Sequence, residues 1–210
     1  VRTCIDVQEV GVLEATKRSK EVKISTFMQK PLSQVVCINC GQCINRCPTA
    51  ALYAKDASDE VWKALDDPHK HVVIQTAPSP RAALGEMFGL PPGTTVTYQM
   101  NTALKRMGFA HVFDTNFTAD LTIIEEGTEL ILRLYKALVQ GDTSVALPQF
   151  TSCSPGWVKY CEHFYPEYIP NLSSAKSPQQ MFGALIKTFY AEKMGVDPAK
   201  IVSVAVMPCT

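Results

Sequence analysis

Four cysteines stand close together between Cys37 and Cys47, in the order C-I-N-C-G-Q-C-I-N-R-C, and Pro48 follows. Spacings of two, two and three ending in C-P are those of the bacterial run that holds tetranuclear iron–sulfur clusters. A cubane needs thiolates converging from several directions, and Cys37, Cys40 and Cys43 wrap one corner of it. Gly41 lets the backbone approach the sulfides. Cys47, the fourth, points to a neighbouring cluster. Zinc prefers paired C-x2-C units set apart. Disulfides suit a secreted scaffold, and this chain shows no secretory signal.

Cys4 stands three residues into the chain, after V-R-T. That is the place of the last cysteine in a second run whose first three are absent. The two-cluster rule then gives Cys4 to the cluster of Cys37, Cys40 and Cys43, and leaves Cys47 facing a cluster whose other ligands lie outside this sequence. An idle terminal thiol is the alternative for Cys4. Cys153 and Cys209 fall where chemistry sits in parallel sheets, just past expected strand ends. Each could equally be a small buried hydrophobe, and for Cys161 that reading is the better one. Glu126 and Glu129 are three apart, so they share a helix face. On spacing alone they also fit a solvated helix end.

The elements that must position these groups change style along the chain. Residues 1–67 are expected to form a small ferredoxin-like iron–sulfur module, truncated at its N-terminus, with short strands at Val10–Val12 and Glu21–Ile24. Residues 68–210 alternate short apolar strands with helices, the mark of an α/β fold with a mostly parallel sheet. Four strands are expected: Val72–Gln75, Ala110–Phe113, Val145–Phe150 and Ile201–Val206. Helices are expected at Asp59–Leu65, Pro80–Phe88, Thr97–Met107, Thr118–Leu138, Gly156–Tyr165 and from Ser177-Pro178 to Lys193, the last with proline near its first position.

Bulk composition narrows the function classes. Twenty basic and twenty acidic residues balance, so net charge makes no case for nucleic acid or an anionic membrane. No apolar run reaches the ~20 residues of a membrane helix. Eight clustered cysteines among 210 residues suit a reducing compartment and metal use. A reducing, anaerobic setting, cytoplasmic rather than periplasmic, is the expectation.

Taken together, several stretches resemble the iron-only, or [FeFe], hydrogenases. They are the cysteine run, T-A-P-S (76–79), D-L-T-I-I-E-E-G-T-E-L (120–130), T-S-C-S-P-G-W (151–157), S-S-A-K-S-P-Q-Q (173–180) and V-M-P-C-T (206–210). The resemblance implies one lobe of a hydrogenase catalytic domain, cut just inside its second active-site motif, and an isolated piece without activity. It implies the H-cluster, a [4Fe-4S] cubane joined through a cysteine sulfur to a two-iron unit, with accessory [4Fe-4S] clusters. Reversible reduction of protons to dihydrogen would draw on ferredoxin or a similar carrier, and maturation proteins would deliver the two-iron unit. Cys209 matches a cubane ligand and Cys153 the thiol that passes a proton to the two-iron unit. Glu129, Ser173 and Glu126 match the relay to the surface, with Arg133 at its outer end. Ala77, Pro78, Ser79, Pro178, Gln179 and Met207 match the wall around the two-iron unit. A thiol, two carboxylates and a hydroxyl can each accept and donate a proton, as a path to a buried metal requires.

One position departs from the pattern. Where the family has T-S-C-C-P-G-W this chain has T-S-C-S-P-G-W, and Ser154 stands at the second cysteine, a cubane ligand. A hydroxyl is a harder and less acidic ligand than the thiolate that iron–sulfur clusters select. Two other functions stay open: a hydrogenase-like protein of iron–sulfur assembly that makes no dihydrogen, although such proteins lose the first cysteine of the pair and keep the second, the opposite of this chain, and a plain electron-carrying module, which would leave residues 70–210 unexplained.

Overall fold

The computed structural model describes residues 1–208. In chain order they form strands β1 (Glu14–Thr16) and β2 (Lys23–Ser25), a helical turn α1 (Gln42–Asn45), α2 (Ser58–Leu65), β3 (His71–Thr76), α3 (Pro80–Ala83), α4 (Thr97–Arg106), β4 (His111–Asp114), α5 (Asn116–Leu134), α6 (Pro155–Phe164), α7 (Pro178–Leu185), α8 (Ala191–Met194) and β5 (Ile201–Val206). The chain makes two compact units, residues 1–55 with 150–172, and residues 56–149 with 173–208.

The larger unit is built on a three-stranded sheet of order β4-β3-β5, parallel throughout. β3 is its centre because V-V-I-Q-T offers apolar groups to both faces, the pattern of a strand covered on both sides. Alternation then sorts them. Val73 meets Phe182, Ile186, Ala191 and Ile201 on one face. Val72 and Ile74 meet Ala64 and Phe109 on the other. Each such side chain contributes about 1.5–3 kcal/mol by leaving water. Ser177 starts α7 with a capping box: its hydroxyl accepts the Gln180 N–H, and the Gln180 side chain accepts the Ser177 N–H.

In the smaller unit β1 and β2 pair antiparallel, with Glu14 opposite Ser25. Its 150–172 part carries α6 and a run of touching aromatic rings, among them Phe150–Trp157, Phe150–Tyr168 and Tyr160–Phe164.

Four expectations are corrected. The sheet has three strands, not four: of Val145–Phe150 only Phe150 pairs, in a single bridge to Leu172. The segment spends its polar groups elsewhere, since Pro148 has no N–H to give and the Ala146 carbonyl is taken by Arg133. Cys153 therefore does not follow a strand of the sheet. Nor does this chain hold a ferredoxin-like module. Such a module pairs two halves, each with its own cysteine run, and only one run is present, accompanied by the β1–β2 hairpin. The first strand also falls later than Val10–Val12, because Val12 is held at the Cys4 sulfur instead. The helix expected over 80–88 tightens after Ala83, and Gly89, left-handed at φ 76°, ends it.

Candidate functional site

Parallel sheets bind ligands beyond the carboxyl ends of their strands, and several of the expected wall residues gather there. Ala77, buried, donates its N–H to the Val206 carbonyl at 3.0 Å, which joins the ends of β3 and β5. Met207 continues from β5 half-buried, while Pro78 and Ser79 are exposed. Gln75 lies under this rim. Its amide donates to the Gln179 carbonyl at 3.4 Å and its oxygen accepts the Thr115 hydroxyl at 3.2 Å. It thereby ties β3 to the first turn of α7, which Pro178 opens. Asp114, at the end of β4, accepts Arg81 through both oxygens at 2.9 Å and the Asn116 N–H at 2.9 Å. Burial works to raise the Asp114 carboxyl, but Arg81 and the Asn116 N–H prevail and hold it below its ordinary value. Cys209 lies outside the described residues.

Helix α5 brings the acidic residues together. Glu129 receives the Ser173 hydroxyl at 2.6 Å and the Ser174 N–H at 3.0 Å. Arg133, one turn on, adds its Nη2 at 2.7 Å and Nε at 3.2 Å. Burial alone would lift the Glu129 carboxyl; these donors reverse it and keep the acid lowered. Glu126 moves the other way, raised first by burial and then by the charge on Glu129. Two carboxyls on one helix face are thus split, one favouring the ionised form and the other the protonated form. Ser173 also accepts the Ala175 N–H at 3.1 Å, so it both gives and takes. Gln149 donates to the Glu126 carbonyl at 3.2 Å, while its own oxygen is buried without a partner among the described residues.

The smaller unit holds the cysteine run. The Thr3–Val7 segment, which carries Cys4, packs on α1, which carries Cys43. Cys4 Sγ accepts the Val12 N–H at 3.3 Å. Left-handed backbone at Asn39 (φ 54°) and Gly41 (φ 68°) turns the loop on either side of Cys40. Burial raises the Cys43 thiol first, with Cys40 and Cys37 near enough to add to the shift. Cys47 is set apart. The Leu52 N–H, the Thr49 hydroxyl and the Thr49 N–H lower its thiol to about 7. Among the described residues no three Cys, His, Asp or Glu side chains gather tightly enough for a single metal ion. A four-iron cube takes soft thiolates at separated corners, and Cys4, Cys37, Cys40 and Cys43 fit it as a donor set.

α6 rests on this loop: a Cβ on Gly156 would stand 3.4 Å from the Ile38 carbonyl oxygen and 3.5 Å from Cys40 Cα. Just before α6, Cys153 is exposed. Ser154 occupies the N-cap, yet its hydroxyl makes no capping bond, and its N–H donates to Ser152 Oγ at 3.1 Å. Cys161 is buried, its thiol donating to the Tyr165 carbonyl, as a structural cysteine would be.

Gln75, Arg81, Asp114 and Gln149 were not among the expected site residues. Gln75 had a signal, a lone amide inside the apolar run V-V-I-Q-T. Asp114 and Arg81 had none, because their partnership depends on the β3–β4 register.

Comparison with known proteins places these features in context. Residues 70–210 match the family described as iron only hydrogenase large subunit, C-terminal domain. The NADP-reducing hydrogenase subunit HndD of Solidesulfovibrio fructosivorans is 52% identical over 98% of this chain and 35% of its own length. Iron hydrogenase 1 of Clostridium pasteurianum is 49% identical over 78% of this chain and 27% of its own. Cytosolic iron-sulfur assembly component 3 of Pongo abelii is 34% identical over 82% of this chain and 37% of its own. Among solved structures, apo [FeFe]-hydrogenase HydA1 from Chlamydomonas reinhardtii, in a variant form, superposes with a TM-score of 0.68 at 46% identity, covering 74% of this chain and 39% of that one. The chain therefore spans about a third of the length of these relatives. Among the described residues no helix is long and apolar enough to cross a membrane.

Proposed function

This chain belongs to the iron-only hydrogenase large-subunit family, and from that premise we propose that the full-length protein containing it interconverts protons and dihydrogen. Electrons come from ferredoxin or a similar carrier through four-iron clusters. The observation that carries this reading is the Ser173–Glu129–Arg133 network beside a raised Glu126. A merely solvated helix end would not hold one carboxylate with four donor groups while pushing its neighbour toward the protonated form.

In this reading Cys4, Cys37, Cys40 and Cys43 hold an accessory cluster, and Cys47 serves another. The wall of Ala77, Pro78, Ser79, Pro178, Gln179 and Met207 shields the two-iron unit, with Cys209 a ligand of its cubane. When bound, the two-iron unit supplies the metal at which dihydrogen is made or split. The side chains handle the proton. Glu126 holds it more readily than an ordinary carboxyl, Ser173 can accept and donate, and Glu129 returns to the ionised form because Arg133 faces it. Cys153 takes the thiol role next to the metal.

A second reading has its own support, the 34% identity to a cytosolic iron–sulfur assembly component. It makes the protein a cluster-binding relative that produces no dihydrogen. Gas-chromatographic assay of the matured full-length protein separates the two, alongside iron content and electron paramagnetic resonance. With Ser154 the accessory clusters should assemble and the active-site cubane should be under-occupied. Ser154→Cys should raise the affinity for the cubane by at least ~10–100-fold, the cost typical of losing even a supporting group at a metal site, and cubane occupancy and dihydrogen output should rise with it. Cys153→Ala in the restored protein should keep the clusters and slow turnover. Full clusters without dihydrogen in Ser154→Cys would favour the assembly reading. Full occupancy and activity with Ser154 untouched would show that this position does not ligate iron.

A further inference from the structure

The β1–β2 hairpin concentrates charge in a chain that has none overall. From Glu14, where β1 starts, to Lys30 stand five basic residues, Lys17, Arg18, Lys20, Lys23 and Lys30, against two acids, Glu14 and Glu21. All five are exposed. Glu21 neutralises little, since its nearest cation, Lys17, is 3.9 Å away and both are well solvated. The same stretch exposes large apolar groups, Val22, Ile24, Phe27 at 59% and Met28 at 76%. Exposed apolar groups beside a charged turn are the materials of a protein interface. The backbone there is held at a cost. Lys17, Ser19, Met28 and Gln29 are left-handed, with φ between 50° and 66°, a conformation that strains residues with a Cβ and tends to mark functional segments.

The hairpin is also continuous with Cys4. The Cys4 sulfur accepts the Val12 N–H, and the Cys4 carbonyl accepts the N–H groups of Val10 and Gly11. Buried Val12 and Leu13 then lead directly into β1 at Glu14. A partner seated on the hairpin would rest against the peptide that anchors a cluster ligand.

We propose that the β1–β2 hairpin is the docking surface for an acidic electron-carrier protein, which delivers its electrons to the cluster held by Cys4. This rests on the proposed catalytic reading for its direction of electron flow. Lys17, Arg18 and Lys20, at the turn, steer the carrier, and Phe27 and Met28, past the end of β2, form a dry contact. Opposite charges across such a surface speed association by about 10–1,000-fold at low salt and lose that advantage as salt screens them.

The test uses the matured full-length protein and two reductants, a reduced acidic two-cluster ferredoxin and reduced methyl viologen. In the charge-reversed variant K17E/R18E/K20E, kcat/KM with ferredoxin should fall 10- to 100-fold at about 20 mM salt, and the gap should close near 0.5 M. The methyl viologen rate should not change. Phe27→Ser/Met28→Ser should raise KM for ferredoxin at both salt levels. Titration calorimetry of oxidised ferredoxin against the same proteins reads docking without turnover, and K17E/R18E/K20E should weaken it at least tenfold. Unchanged ferredoxin kinetics and binding in the variants, with the unsubstituted protein active on both donors, would overturn the surface and leave the catalytic reading intact. No dihydrogen from either donor would overturn the catalytic reading, and calorimetry would then decide the surface by itself. Capture by phosphatidylserine vesicles through these lysines, with no response to ferredoxin, would overturn the proposal in favour of a membrane.

Discussion

The two compact units keep their order by different means. The sheet unit buries Val72, Val73, Ile74, Phe109, Phe182, Ile186 and Ile201 around β3. The cysteine unit buries far less, chiefly Val12, Leu13, Ile38 and Cys161. It also contains all seven non-glycine residues with left-handed backbone among those described, from Glu9 to Ala50. Each costs roughly 1 kcal/mol or more, and a small core does not readily offset that. The sheet unit is a scaffold that its own hydrophobic groups can form. In the proposed reading, cluster ligation would offset the rest in the cysteine unit, since metal binding free energy becomes folding free energy where no preformed core exists.

Removing iron is the strongest way to break this comparison. In the full-length protein under anaerobic chelation, amides in 1–55 and 150–172 should lose protection in hydrogen-exchange mass spectrometry, while β3, β4 and β5 keep theirs. Equal loss in both units would mean that their stabilities are not separate. A middle-sized effect comes from Val73→Ala. Deleting two methyl groups at a fully buried site should lower the stability of the sheet unit by about 2 kcal/mol and leave iron content untouched. A fall in iron would show that the sheet, too, supports ligation.

The smallest effect concerns pH. The folded state depresses Glu129, so it contributes stability that is complete above the unfolded carboxyl value and lost as pH falls through the folded one. Glu126 is raised, so it favours the folded state below that range and gives the advantage up as pH rises. The two oppose each other, so their joint contribution to the slope of stability between about pH 3 and 6 is smaller than that of Glu129 alone. Glu129→Gln should make the slope less positive than in the unsubstituted protein, with the other depressed carboxyls, Asp114 among them, still contributing, and denaturant melts across this range measure the change.

Sequence reading was most reliable where one local rule decides. The run V-V-I-Q-T announced a buried strand, Ser177-Pro178 a helix start, and the spacing of Glu126 and Glu129 a shared face. It failed at Val145–Phe150, where apolar composition suits a strand but Pro148 and the claims of Arg133 on Ala146 break the ladder. Nothing local reveals that 150–172 packs with 1–55, because that depends on Gly156 meeting the Cys40 loop. The Gln75 and Asp114 anchors were hidden for the same reason: both need strand register before their partners exist.

That pairing order also sets a timetable for synthesis. β3 is finished at Thr76 and can pair with β4 soon after, but its other edge waits for β5 at Ile201. Residues 1–55 wait in turn for the 150–172 segment. Until Ile201 has been made, the nascent chain carries an unpaired edge on β3 and a row of cysteine thiols. Both are hazards, one for aggregation and one for oxidation. A chaperone that covers the open side of β3 until β5 arrives would remove the first of them.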